Sequence, residues 1–224
     1  MHIRHLHHWA RTYRSAVALQ ERLRPLVRIE PLSAPVRTVA GVDVAYERRS
    51  DRFYAGIVVL RLGDLEVVEE VVVARRAAFP YIPGLLSFRE GPAVLAAFRK
   101  LRAEPDAVIF DGQGLAHPRR FGLACHLGVW LDRPSVGCAK SRLIGEHAQV
   151  PDRVGAHVPL FVGGEPVGAV LRTRKGVKPV YVSPGTRIDI AGAVGLVLSS
   201  CAGCRLPEPT RRAHALVNRA RIRG

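Results

Sequence analysis

Residues 107–110 read Ala-Val-Ile-Phe, apolar on both sides of a β pleat, and Asp111-Gly112 stop the run abruptly. Successive strand side chains point to opposite faces, so a strand with no polar side must be covered above and below. A chain built around such a segment needs helices on both faces of a sheet, which confines it to layered α/β folds. Residues just past the carboxyl end of a central strand emerge at the crevice where open α/β sheets receive ligands, and Asp111 is the first of them.

The flanking sequence supplies the layers. Residues 9–26 carry Tyr13, Val17, Leu19, Leu23 and Leu26 at roughly helical spacing, with Pro25 marking the end. Three β-rich runs follow at 36–46, 53–62 and 65–74, and Gly63-Asp64 joins the last two as an antiparallel turn would. A loop with Pro80 and Pro83 leads to a helix over 85–101, where Val94, Leu95 and Phe98 share a face. Beyond the central strand the pattern predicts a helix over 121–131 and strands at 135–139, 168–171 and 179–183. Helices at 190–200 and 210–223 complete it. No repeat or Ser/Gly-rich linker divides the chain, so one domain spanning 1–224 is expected. This order is that of an α/β fold with a ribonuclease H-like mixed β-sheet flanked by helices.

Thirty-four Lys and Arg against 19 Asp and Glu leave a net charge of +15, and only residues 100, 140, 175 and 178 are lysines. Such a field attracts polyanions, and the guanidinium fork suits phosphate, so nucleic acid is the expected partner. A basic soluble enzyme from an Arg-rich coding bias is the alternative. Cys125, Cys138, Cys201 and Cys204 are too few and too irregular for a disulfide framework; the lone Cys201/Cys204 CxxC lacks a second pair for zinc. Reduced, mostly buried thiols are expected. The charged start has no apolar signal core and no apolar run reaches about 18 residues, so neither secretion nor a membrane span is expected, and the cytoplasm is. His2, His5, His7 and His8 resemble a metal-binding tract but equally a frayed terminus, and carry no assigned function.

Asp43 falls inside an otherwise apolar strand, where a lone carboxylate is costly unless paired, hydrogen-bonded or metal-bound. Glu90 lies on the helix just before the central strand, and the strands of Asp43 and Asp111 should be neighbours. Taken singly, each has a plain alternative: an exposed or Arg-paired Asp43, a solvated Glu90, a turn or capping Asp111. Three converging acids instead suit a hard divalent cation and phosphoryl chemistry. His117, Arg119 and Arg120 follow Asp111 and could meet phosphate, or His117 could simply cap a loop. Lys140 ends an apolar strand and His214 sits on the last helix; a phosphate contact and a solvated or structural role are both open. Pro80-Tyr81-Ile82-Pro83 is a stiffened loop that could present an aromatic wedge to a base stack, or pack Tyr81 in the core.

The blocks VAGVDVAY, FPYIPGLLSFREGPAVL, FDGQGLAHPRRFGLACHLGV, SVGCAKSRLIG, LRTRKGVKPVYVSPGTRIDI and RLPEPTRRAHALVN, taken together over about 36–219, resemble the endonuclease V family of inosine-directed nucleases. The resemblance implies hydrolysis of the second phosphodiester bond 3′ to a deaminated purine, leaving 3′-hydroxyl and 5′-phosphate ends. It implies magnesium, with manganese as a substitute, held by Asp43, Glu90 and Asp111. It also implies a lysine near the scissile phosphate at Lys140 and a catalytic-site histidine at His214. Pro80, Tyr81, Ile82 and Pro83 match the strand-separating wedge. Gly84, Leu86 and Gly112 fall where relatives build the hypoxanthine pocket. The expected partner is DNA containing deoxyinosine or other deaminated bases, met as a monomer, with inosine-containing RNA as the alternative. Thr186 departs from the pattern, since many relatives carry a larger polar residue there.

Overall fold

A computed structural model describes residues 3–47, 52–76 and 78–223. Its centre is an eight-stranded sheet in the order β3-β2-β1-β4-β5-β8-β7-β6. The strands are β1 (Thr38–Tyr46), β2 (Arg52–Arg61), β3 (Val67–Arg76), β4 (Ala107–Phe110), β5 (Ser135–Ala139), β6 (His157–Val162), β7 (Glu165–Leu171) and β8 (Val180–Thr186). β1, β4 and β5 are parallel, and every other neighbouring pair is antiparallel. The carboxyl ends of the three parallel strands therefore open on one edge of the sheet, where Asp111 and Lys140 follow β4 and β5 directly.

Helices α2 (Leu86–Phe98) and α3 (Leu123–Leu131) cover one face, packing on Ala40, Val42, Ile57, Val108 and Phe110. Helices α4 (Ile190–Ser199) and α5 (Glu208–Arg223) cover the other, against Val39, Val58, Ala107, Ile109 and Val136. β4 is thus buried on both sides, as its two-sided apolar sequence demands. α1 (Tyr13–Leu23) continues into a 3-10 turn at Arg24–Leu26 and is capped by Thr12, whose hydroxyl accepts from the Ser15 amide.

β6 was absent from the sequence expectation. Pro159 sits within it and cannot donate to a ladder, which is tolerated because β6 is the edge strand. α5 starts at Glu208, earlier than expected, because a proline at the start of a helix loses nothing; Glu208 is buried and accepts from Arg211 and Arg212.

Glycine sets how closely α5 can lie on the sheet. A methyl group on Gly41 would stand 2.0 Å from the Pro209 carbonyl carbon, and one on Gly56 of β2, which pairs with Asp43, would stand 2.5 Å from Val217 Cγ1. On a strand the residue two along from Gly41 shares its face, and that residue is Asp43.

The histidine-rich start is not frayed over its described part, and His2 lies outside the described residues. The Arg4 amide donates to the Trp130 carbonyl, and Trp9 stacks on Trp130 with centroids 5.6 Å apart. His7 is buried, with Nε2 2.7 Å from Nε2 of buried His126 and 3.1 Å from Nε1 of Trp130. An indole N–H only donates, so His7 Nε2 accepts. Its Nδ1–H then donates to the His8 carbonyl, His126 donates through Nε2–H, and Ser87 Oγ donates to His126 Nδ1. This arrangement places every proton with both imidazoles neutral. Burial accordingly lowers both pKa values, His126 well below its ordinary 6.5.

The unfolded chain takes up these protons as pH drops below about 6.5 and the folded chain does not. Stability from this pair is therefore complete above that pH and is lost below it. Melting temperature should fall between pH 7.5 and pH 5, and fall less in His7→Gln. Equal slopes for the two proteins would remove His7 from the explanation.

Candidate active site

The three acids reach one place from three elements. Asp43 projects from β1 towards α5, and Asp111 ends β4, its amide donating to the Val42 carbonyl at 3.4 Å. Glu90 comes from α2 on the opposite face of the sheet. All three line an open cleft of about 420 Å³ with Lys140, His214, Asn218 and Arg221.

Burial first, and crowding of like charge second, set the protonation of the cleft. Burial, then the neighbouring Asp43 and Asp111, pushes the Glu90 carboxyl up to about 8, so it holds a proton at neutral pH. Asp43 is also raised, by burial first and then by Asp111, with the His214 hydrogen bond working against both. Lys140 Nζ donates to Asp111 Oδ2 at 2.5 Å. His214 Nδ1–H donates to Asp43 Oδ2 at 2.7 Å, while its Nε2 accepts from Asn218 Nδ2 at 3.1 Å. The same Asn218 nitrogen donates to the His214 carbonyl, which leaves Asn218 Oδ1 to accept from Arg221.

Carboxylates that repel one another around a shared space are the donor set of a hard divalent cation. Among the described residues no three His, Cys, Asp or Glu side chains stand as a ready ligand set. One oxygen each of Asp111 and Asp43 is instead held by Lys140 and His214. Asp43, Glu90 and Asp111 are the residues that could hold an ion here, with those two side chains giving way.

A second compartment, of about 310 Å³, adjoins the first and shares Asp111 and Lys140 with it. Tyr81, Ile82, Pro83, Gly84, Leu86 and Gly112 form much of its wall. Tyr81 is 68% exposed at the loop tip, so it is not a core residue. The loop is fastened at Gly84, whose positive φ of 79° suits glycine and whose carbonyl accepts three hydrogen bonds. The donors are Gln20 Nε2 at 3.0 Å, His117 Nε2 at 2.9 Å and Arg119 at 2.9 Å. The remaining polar atoms close the network: Gln20 Oε1 accepts from Arg119 Nε, and His117 Nδ1 accepts from the Arg119 amide.

His117 and Arg119 both help to hold this loop; His117 is buried, which pushes its pKa down to about 4, and it also lines the second compartment. Gln20 escaped sequence reading, although it left a signal. It occupies the buried stripe of α1 with Ala16 and Leu23, where an apolar residue would be the default. Asn218 also escaped, although it lies four residues from His214 on the same face of α5. Thr186 is buried and accepts from the Arg28 amide, which gives it a structural partner. Cys125 and Cys138 are buried as expected, whereas Cys201 and Cys204 are only half-buried; all four are free thiols. No helix among the described residues is long and apolar enough to cross a membrane.

The family model for Endonuclease V matches residues 21–215. The Endonuclease V of a Roseiflexus species is 50% identical over 214 residues, which cover 96% of each chain. The crystal structure of the Streptomyces avermitilis Endonuclease V superposes with a TM-score of 0.92 at 42% identity, covering 100% of this chain and 99% of that one. The Ciona intestinalis Endonuclease V, in complex with a 24mer DNA containing an inosine followed by a ribo-adenosine, shares the fold at a TM-score of 0.83 and 23% identity. That match covers 94% of this chain and 98% of that one. Matched over most of its length by family, sequence and fold, the chain belongs to the Endonuclease V family.

Proposed function

We propose that this protein is a magnesium-dependent endonuclease that recognises deoxyinosine in DNA and hydrolyses the second phosphodiester bond on its 3′ side, leaving 3′-hydroxyl and 5′-phosphate ends. One observation carries the reading: a pocket under a rigid aromatic loop adjoins an acid-lined cleft, and the two meet at Asp111 and Lys140. A base held in the first compartment places its own strand across the second. The Ciona relative, crystallised with a DNA containing an inosine, supports such a strand as the ligand.

Asp43, Glu90 and Asp111 would hold magnesium, with manganese as a substitute; when bound, such an ion supplies Lewis-acid charge and a more acidic water. Lys140, drawn off Asp111, can donate to a phosphate oxygen beside it. His214 keeps its proton on Nδ1, towards Asp43, so Nε2 is its accepting atom and Asn218 fixes the ring. Hypoxanthine carries O6 where adenine carries an amine, so backbone donors at Gly84, Leu86 or Gly112 would favour it. A reversed hydrogen bond of this kind discriminates by roughly 1–3 kcal/mol when a buried group is stranded.

The deciding experiment compares matched duplexes with and without one inosine, in magnesium and in chelator. Cutting that needs both inosine and magnesium supports the reading; metal-independent or inosine-blind cutting defeats it. The ribo-adenosine after inosine in the Ciona complex makes inosine-containing RNA the second substrate to assay.

Tyr81 gives a further expectation. With most of its surface in solvent, its removal costs little stability but removes the group that would fill an opened base stack. Tyr81→Ala should lower kcat/KM about tenfold on duplex substrate and far less on single strands. Equal losses on both would exclude a strand-separating role.

A further inference from the structure

His214, Asn218 and Arg221 recur along one face of α5, and all three line the acidic cleft. The cleft has three cationic or basic side chains, and two are already held by carboxylates: Lys140 by Asp111 and His214 by Asp43. Arg221 has no carboxylate partner among the described residues. One of its terminal nitrogens donates to Asn218 Oδ1 at 3.2 Å, and its Nε is buried without a hydrogen-bond acceptor. A buried donor left unmatched is unfavourable, and a guanidinium with one arm fixed presents the rest of its fork in a set direction.

We propose that Arg221 is a phosphate-binding residue that seats a non-reacting phosphate of the nucleic-acid strand beside the one that is cut. The assignment rests on the reading of the cleft as a nucleic-acid site. Seven residues of helix separate Arg221 from His214, roughly 10 Å along the axis, too far for both to serve one phosphate. The planar fork fits two phosphate oxygens at once, which an ammonium does not. Asn218 is the positioning residue for both neighbours, since it holds His214 Nε2 through its nitrogen and Arg221 through its oxygen.

The test is equilibrium binding of a fluorescein-labelled oligonucleotide without inosine, followed by anisotropy across a sodium chloride series in chelator. One phosphate contact contributes close to one to the slope of log Kd against log salt. R221Q should lower that slope by about one and raise KM for nicking about tenfold while kcat stays within threefold. R221K should keep the slope but still raise KM about threefold, because the charge remains and the fork is lost. R219Q removes the same charge from the same helix, at a site that pairs loosely with Glu70 at 3.9 Å and does not line the cleft; it should leave the slope unchanged.

An unchanged slope in folded R221Q, or an equal drop in R219Q, overturns the assignment. Should R221Q fold poorly, R221K decides alone: wild-type KM with it excludes the fork. The plain oligonucleotide makes this outcome independent of inosine recognition, which would fail instead in the wild-type nicking assay.

Discussion

Asp111→Asn should cut inosine-containing duplex at least about a hundredfold to a thousandfold more slowly than the wild type while binding it as tightly or more tightly. The substitution keeps shape and an acceptor for Lys140, which lies 2.5 Å from Asp111 Oδ2. It removes one negative charge from the group that would hold a cation, and losing one preorganised electrostatic contributor has an effect of about that size. Binding moves the other way because phosphate enters a cleft that the carboxylates make unfavourable for anions. Glu90, pushed up to about 8 by burial and its two acidic neighbours, records that unfavourable field. Single-turnover nicking in magnesium measures the first effect and anisotropy in chelator the second. A variant that cuts within threefold of the wild-type rate would take Asp111 out of the reaction; one that loses rate and binding together would make its role structural.

Asp43 and Asp111 were legible in the sequence because a charge inside or at the end of an apolar run is conspicuous, whereas Glu90 stood out only by its helix preceding β4 and by the family resemblance. Their convergence was legible as well, since two of them lie on strands that a right-handed α/β order makes neighbours, and β1 pairs with β4. The Tyr81 loop stood out through its prolines. What sequence could not supply is the partner of a polar side chain far along the chain. Gln20 donates to the Phe121 carbonyl 101 residues away, and His7 meets His126 119 residues away, so neither network has a local pattern. Read locally, His117 and Arg119 are a histidine and an arginine just past Asp111; the three-donor grip on Gly84 exists only once α1 is laid against the loop. β6 was missed for a different reason: its proline and mostly accessible side chains carry the signature of a loop, and only its place at the sheet edge permits a strand.

Close packing of α5 leads to the second large effect, because the same Gly-to-Ala change should have opposite signs at two positions. At Gly41 the added carbon would lie 2.0 Å and 2.3 Å from the Pro209 carbonyl group and 2.3 Å from the Thr210 nitrogen. These are backbone atoms at the start of α5, so no rotamer change relieves the contact, and the helix must lift off β1. Overpacking of this kind costs about 3 kcal/mol or more where relief needs backbone movement. For a chain of this length that lowers the melting temperature by about 6–12 °C. The lifted helix carries His214 away from Asp43, and a misplacement near 1 Å lowers rate about a hundredfold. At Gly195, exposed on α4, a methyl group meets nothing within 4 Å, so Gly195→Ala should gain up to about 1 kcal/mol from helix propensity and leave activity unchanged. Thermal melts and nicking rates of the two variants side by side separate the local clash from any general effect of replacing glycine. Wild-type stability and activity in Gly41→Ala would mean that α5 does not rest on β1 as closely as its glycines indicate, and the contact between His214 and Asp43 would lose its structural basis.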